Sequence, residues 1–354
     1  MPDNIGIGLA SYGMSGRVFH APIIAHHEGF RLVRIVERST DEAISRYPGA
    51  AISRSFEELL TDPSIEVVVV NTPDQTHYEF AKRCLEAGRH VVVEKPFTQS
   101  VKEANDLIRL ARHHRRILTV FQNRRWDGDF LTIREVIDRK LLGRLVDFES
   151  HFDRYRNFIQ EGTWKEKRSS GSDLLFNLGS HMIDQAIVLF GIPSAVTAHI
   201  KTIRPGGEVS DWYELRLHYD DVNVVTKASY LVREPGPRYT LHGTNGSFVK
   251  FGIDPQEEAL KQGGVPGGPE WGKEAQEWWG QINTDVNGKH TRATVETKAG
   301  NYSAFYDNLS AAITGGSTLA VTPYEALHVI RIIEAARKSN AERRTVDLKE
   351  VEGN

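Results

Sequence analysis

The sequence holds one cysteine, Cys84, among 354 residues. A single thiol cannot build an internal disulfide framework, so the fold must rest on its own cores and fits a reducing, cytoplasmic setting. Neither sign of charge dominates: 44 Lys and Arg stand against 47 Asp and Glu, a formal net charge of -3. That balance gives no electrostatic reason to expect nucleic acid or a membrane surface as partner. No apolar run approaches the roughly 20 residues that span a bilayer. The start, Met1-Pro2-Asp3-Asn4, has neither the basic nor the apolar region of a signal peptide. The pairs His26-His27 and His113-His114 lack Cys, Asp or Glu at ligand spacing, so no metal is expected.

What is present is ordinary globular composition, 40% apolar and 26% charged, in a chain long enough for two domains. The first 120 residues alternate short valine-rich runs with amphipathic stretches. Strands are expected at Ile5–Ala10, Arg31–Val36, Glu66–Val70, Val91–Val93 and Ile117–Val120. Helices are expected between them, including one that carries Tyr78, Ala81 and Leu85 on one face, with Cys84 packed in it, and closes at Gly88. This is the pattern of a doubly wound parallel sheet. After Phe121 the texture changes to segments alternating at period two, the mark of antiparallel strands with one wet face. They run over 144–155, 195–203, 212–219, 223–231, 239–242 and 247–251, interrupted by a helix over 173–190 and followed by a long Gly-, Pro- and Trp-rich loop over 262–288. Two closing helices are expected over 302–314 and 323–340. The expected division is a dinucleotide-type domain over 1–122 and a second domain over 123–354, with the last helix packing back on the first.

Three places carry chemistry. The turn Ser11-Tyr12-Gly13-Met14-Ser15-Gly16 follows the first strand and has the second and third glycines of a dinucleotide fingerprint, with Ser11 in the first position. Glu37, 21 residues after Gly16, ends the second strand where an acidic residue binds a ribose diol. Arg38 beside it points the other way, toward a 2′-phosphate, so the pair leaves NAD and NADP both open. The third strand stops at Thr72-Pro73, with His77 in the next helix turn. The fourth stops at Glu94-Lys95-Pro96, which places Lys95 at the ligand edge of a buried sheet, where a lysine is desolvated and proton-active. An ordinary strand end with a solvated Glu–Lys pair fits the same residues. In the second domain Asn177, His181 and Asp184 stand at i, i+4 and i+7, on one helix face, a spacing also found in plain amphipathic helices.

Taken together, Gly13-Met14-Ser15-Gly16 with Phe19-His20-Ala21-Pro22, Thr72-Pro73 with His77, Ala87-Gly88-Arg89-His90, Glu94-Lys95-Pro96 and Leu178-Gly179-Ser180-His181 resemble the Gfo/Idh/MocA oxidoreductases over nearly the whole chain. The segments Asn123-Arg124-Arg125-Trp126-Asp127, Asp153-Arg154-Tyr155-Arg156 and Gly236-Pro237-Arg238-Tyr239 look closest to the branch with bacterial NADP-dependent scyllo-inositol dehydrogenase. The resemblance implies a Rossmann domain, a C-terminal α/β domain on an open, mainly antiparallel sheet, NADP or NAD as cofactor, and a homodimer or homotetramer. It implies hydride transfer to or from a cyclitol, sugar or polyol, with Lys95 beside the reacting hydroxyl and His181 as catalytic histidine. Asn177 stands where the family usually has aspartate and keeps only hydrogen bonding. Asn123, Arg124, Trp126, Tyr155 and Trp164 are the expected substrate contacts, a polar and aromatic wall suited to a polyol, and packing residues would read the same way. The competing readings are a regulator that senses a dinucleotide or sugar without catalysis, and an enzyme reducing a non-sugar carbonyl or a dihydrodiol.

Overall fold

The computed structural model describes residues 4–168, 172–286 and 288–351. The signal-peptide reading falls on Met1, Pro2 and Asp3 outside that range, as does residue 287 of the expected long loop. The chain divides into two compact units.

The first unit comprises Met1–Trp126, Pro255–Trp271 and Asn301–Leu327. Its sheet has the order β3-β2-β1-β4-β5-β6, all parallel. The strands are β1 (Ile5–Leu9), β2 (Phe30–Val36), β3 (Ala51–Ser53), β4 (Val67–Val70), β5 (His90–Val93) and β6 (Leu118–Val120). Seven valines of β4 and β5 are fully buried, which explains runs with no polar alternation: both faces of a parallel sheet are covered. One cover is the helix His77–Glu86, which buries Ala81, Cys84 and Leu85. Burial pushes the Cys84 thiol far above its ordinary value, so it packs as an inert apolar group. The strand order reverses between β1 and β4, so their carboxyl ends open the crevice where such sheets take ligands.

The sequence reading divides the chain at residue 122 and returns only the last helix to the first domain; the segments that cluster with the first unit are 255–271 and 301–327, while 328–354 belongs to the second. Aromatic packing accounts for the return. The helix Ser303–Gly315 buries Phe305 and Tyr306. Phe305 meets Phe121 at 4.9 Å and Tyr306 meets Phe30 at 5.8 Å, both edge-to-face. Such pairs contribute about 0.5–1.5 kcal/mol each beyond area burial.

The second unit comprises Asp127–Asp254, Gly272–Gly300 and His328–Asn354. Its nine strands are β7 (Leu145–His151), β8 (Ala195–Lys201), β9 (Trp212–His218), β10 (Asn223–Ser229), β11 (Tyr239–Gly243), β12 (Gly246–Lys250), β13 (Gly280–Val286), β14 (Lys289–Val295) and β15 (Val346–Asp347). The order is β14-β13-β12-β11-β7-β10-β9-β8-β15. All pairs are antiparallel except β7 with β10, so the sheet is mixed. Tyr213, Leu215 and Leu217 alternate buried with exposed Glu214 and Arg216, the expected pattern of one covered face. The expected loop over 262–288 is corrected by β13: polar Gln281, Asn283 and Asp285 alternate with Ile282 and Thr284, whose side chains are buried. Among the described residues no helix is long and apolar enough to cross a membrane.

Candidate active site

In the first unit the glycine turn lies at the end of β1. Helical backbone runs over 14–26, with a wide π segment at Gly16–His20. The first amides of a helix have no partner inside it and favour an anion. Ser11 fills the first fingerprint position without left-handed backbone. Its amide donates to Asn71 Oδ1 at 3.0 Å, Asn71 Nδ2 donates back to its carbonyl at 2.7 Å, and Gly13 N donates to its Oγ at 3.1 Å. Asn71, at the end of β4, thus replaces glycine's freedom with a two-point staple; sequence reasoning passed over it. A Cβ on Gly13 would meet only Ser11 Oγ at 3.4 Å, so the turn is open on its outer side. A Cβ on Gly16 would lie 2.3 Å from Ser11 O and 2.7 Å from Asn71 Nδ2. Glycine is therefore obligatory there, and the cradle fits a pyrophosphate. Gly16→Ala is expected to weaken NADPH binding about tenfold in a fluorescence titration, from an overpacking cost of about 1–3 kcal/mol.

Around the turn Tyr12 is half-buried and edge-on to Tyr47 at 6.4 Å, while Met14 is exposed and Ser15 half-buried. Glu37 departs from the expected ribose contact. It is 4% exposed, its Oε1 accepts the amide of Ala43 at 3.0 Å, and its Oε2 is buried without a donor. The carboxylate is turned into the fold, and exposed Arg38 is the charge presented at the end of β2.

Thr72 and Pro73 end β4 as the sequence predicts. His77, expected among the cofactor contacts, is 1% exposed and instead braces two turns. Its Nδ1 is 2.8 Å from Pro96 O and its Nε2 3.0 Å from Thr72 O. Glu94 and Lys95 follow β5 directly, and the Lys95–Pro96 peptide is cis. Glu94 is buried and Lys95 half-buried. Glu94 Oε2 accepts the amide of Lys95 at 2.9 Å, and Oε1 lies 2.9 Å from His20 Nε2. Burial alone would push Glu94 up; the His20 hydrogen bond, with His20, Lys95 and His77 nearby, more than offsets it, so the carboxyl sits below its ordinary value. Asn123 and Arg124 are buried, and Arg124 is ion-paired with Glu257. Trp126 packs edge-on against Phe305 at 6.0 Å, and its carbonyl accepts from Asn301 at 2.9 Å. These three members of the proposed substrate wall are tied into their own unit by packing and ion pairing.

In the second unit Asn177 lies in a second π segment, Leu175–Gly179, and His181 in the first turn of the helix Ser180–Phe190. The wide turn changes the simple i, i+4 geometry; such bulges recur at functional sites. His181 and Asp184 are buried and Asn177 is half-buried. A Cβ on Gly179 would lie 2.6 Å from the movable end of Leu175 and 3.3 Å from the ring of Tyr213, so the bulge is closely packed at that point. Tyr155 is 42% exposed, with the Arg233 guanidinium 4.7 Å over its ring, and Trp164 opens the turn Trp164–Glu166.

A glycine turn seating a pyrophosphate at the switch point, with a lysine at the end of a neighbouring strand, is the equipment of a nicotinamide dehydrogenase. Residues 5–122 match the NAD-binding Rossmann fold of an oxidoreductase family, and residues 134–348 match its C-terminal alpha/beta domain. The chain belongs to the Gfo/Idh/MocA family. It is an NAD(P)-dependent oxidoreductase. Scyllo-inositol 2-dehydrogenase (NADP(+)) IolW of Bacillus subtilis is 38% identical over 346 residues, 98% of this chain and 96% of that protein. D-glucoside 3-dehydrogenase of Escherichia coli is 25% identical over 58% of this chain and 61% of its own length. A crystallised Bacteroides fragilis protein described as an oxidoreductase superposes with a TM-score of 0.91 at 49% identity, covering 98% of this chain and 100% of that one.

Proposed function

We propose that the chain oxidises a secondary hydroxyl of an inositol-type cyclitol, with NADP as the preferred cofactor, and reduces the ketone in reverse. The observation that carries this reading is Lys95 at the end of β5 in the unit that holds the glycine turn, together with the full-length likeness to an NADP-dependent inositol dehydrogenase. A bound nicotinamide supplies the hydride acceptor. Ser11, Gly13 and Gly16 seat the pyrophosphate. Lys95 stabilises charge developing on the substrate oxygen, and His181 receives the hydroxyl proton. Asn177 hydrogen-bonds a hydroxyl without carrying charge. Tyr155 supplies a contact for a ring C–H face; the side chain of Trp164, expected beside it, lies outside what the structure describes. The assembly in solution is a homodimer or homotetramer, which sedimentation measures.

The cofactor preference follows from Glu37. With its Oε1 engaged by the amide of Ala43 and the side chain buried, Glu37 is drawn away from a 2′-phosphate, and exposed Arg38 is left to meet it. A guanidinium–phosphate contact contributes about 1.5–3 kcal/mol. Arg38→Ala is therefore expected to lower the NADP-to-NAD ratio of kcat/KM by about 10- to 100-fold. An unchanged ratio would remove Arg38 from the site.

The test of the whole reading is initial rates on a panel of inositols, aldoses and glucosides, each with NAD and with NADP. Turnover of an inositol with NADP is the expected result. Turnover confined to glucosides or aldoses would move the substrate class, and a preference for NAD would overturn the Arg38 assignment.

A further inference from the structure

Behind Lys95 lies a buried chain of hydrogen bonds that the glycine turn and the sheet edge do not require. Tyr306 Oη is 2.7 Å from His20 Nδ1, His20 Nε2 is 2.9 Å from Glu94 Oε1, and Glu94 Oε2 accepts the amide of Lys95 at 2.9 Å. His20 and Tyr306 are wholly inaccessible to solvent, and Glu94 is 8% exposed. The direction of the bond to Glu94 follows from its charge. An ionised Glu94 only accepts, so His20 Nε2–H donates to it. In the tautomer with Nδ1 unprotonated, that nitrogen accepts and Tyr306 donates. Every donor in the chain points toward Glu94, and charge-assisted bonds of this kind are the stronger ones. The ring of Phe121 lies 4.4 Å from that of His20, and Phe305 packs on Tyr306 at 5.3 Å, so the network sits in a dry, aromatic surround. His20 also ends the π segment that begins at Gly16, so one short helical stretch carries the dinucleotide turn at one end and the Glu94 anchor at the other.

We propose that Tyr306, His20 and Glu94 form a buried positioning relay that fixes the backbone of Lys95, and that His20 is its central positioning residue for the hydride-transfer reaction. The relay does not conduct protons: its far end, Tyr306, is sealed from solvent, so a proton passed along it has no exit. Its effect is orientation. Glu94 Oε2 holds the amide of Lys95, the second residue after β5, while His20, itself bonded to Tyr306, holds Oε1. A misplacement of about 1 Å at a reacting group costs up to about 100-fold in rate.

This inference rests on Lys95 being the residue beside the reacting hydroxyl, and the experiment separates the two claims. His20→Leu, His20→Gln, Tyr306→Phe and Lys95→Met are compared for kcat, KM, dinucleotide Kd and thermal midpoint. Hydrogen–deuterium exchange is followed in the peptide containing Lys95, without substrate. His20→Leu is expected to lower kcat about 30- to 100-fold while substrate KM and NADPH Kd stay within about threefold, and to speed exchange at the Lys95 amide. His20→Gln, whose amide can still donate to Glu94, is expected to regain about tenfold of that loss. Tyr306→Phe, which removes one oxygen, is expected to cost about three- to fivefold in kcat. A folded His20→Leu with wild-type kcat and exchange would overturn the relay, as would equal losses in the Leu and Gln variants that simply track a lowered midpoint. If His20→Leu does not fold, Tyr306→Phe decides, and unchanged kcat there sinks the proposal. A fully active Lys95→Met overturns the Lys95 reading and the relay together; an inactive one beside a normal His20→Leu overturns the relay alone.

Discussion

Lys95→Met is expected to lower kcat by about a thousandfold, within the 10²–10⁴ range of a lost proton-active group, while the Kd for NADPH changes less than about threefold. Methionine nearly matches the stem of lysine in length and removes the ammonium, its charge and its three N–H donors together. Lys95 follows a strand whose three valines are fully buried, and its amide is fixed by Glu94, so its backbone has little freedom to compensate. The proposed dinucleotide seat lies elsewhere, in the turn of Ser11, Gly13 and Gly16 braced by Asn71, through bonds that do not involve Lys95. Binding and turnover therefore separate. Lys95→Arg is not expected to rescue, because a bulkier planar fork on a longer side chain replaces a compact ammonium. Initial rates with the best panel substrate and a fluorescence titration with NADPH make the measurement. Turnover within tenfold of the parent would remove Lys95 from the chemistry.

The reason Lys95 was legible in the sequence is that its neighbours are unambiguous. Three valines demand a covered strand, and proline stops it, so the residue between them sits at the sheet's ligand edge wherever the rest of the chain goes. Gly13 and Gly16 were legible on similar local grounds. Partners distant in sequence were not. Nothing at position 20 announces a bond to Tyr306, 286 residues later, or to Glu94. Asn71 stands beside the Thr72-Pro73 stop, yet its task is to hold Ser11, 60 residues away. Glu37 fitted the fingerprint spacing, but spacing cannot show that the carboxylate turns inward to the amide of Ala43. Both π segments were invisible because a 3.6-residue period is all a pattern search assumes. The missed strand β13 lies beside a Trp- and Gly-rich stretch that outweighed its alternation, and the Asn287-Gly288 dipeptide after it is a hairpin signal in its own right.

Arg204→Met is expected to lower the thermal midpoint by about 10 °C, from a loss of about 3–5 kcal/mol when one partner of a buried ion pair is removed. Arg204 is 3% exposed and grips four groups at once. Its Nε donates to Asp211 Oδ2 at 2.9 Å, its Nη2 to Glu166 Oε2 at 2.8 Å, and its Nη1 to Glu166 Oε1 at 3.2 Å and Phe158 O at 2.6 Å. The guanidinium also lies 4.9 Å over the ring of Tyr230. Methionine would leave Asp211, which is fully buried, and Glu166, 13% exposed at its side chain, without their common cation. Asp211 keeps two backbone donors, the amides of Ile203 and Arg204, so the loss falls short of a wholly abandoned charge. Because Arg204 ties the backbone at Phe158 and the side chain of Glu166 to one point, the same change loosens the segment between them, and KM for the substrate should rise with little change in NADPH binding. Arg204→Lys keeps the charge without the fork and is expected to fall between the two. Scanning calorimetry on the three proteins decides the matter: a midpoint for Arg204→Met within about 2 °C of the parent would show that the ion pairs gain no more than their desolvation costs.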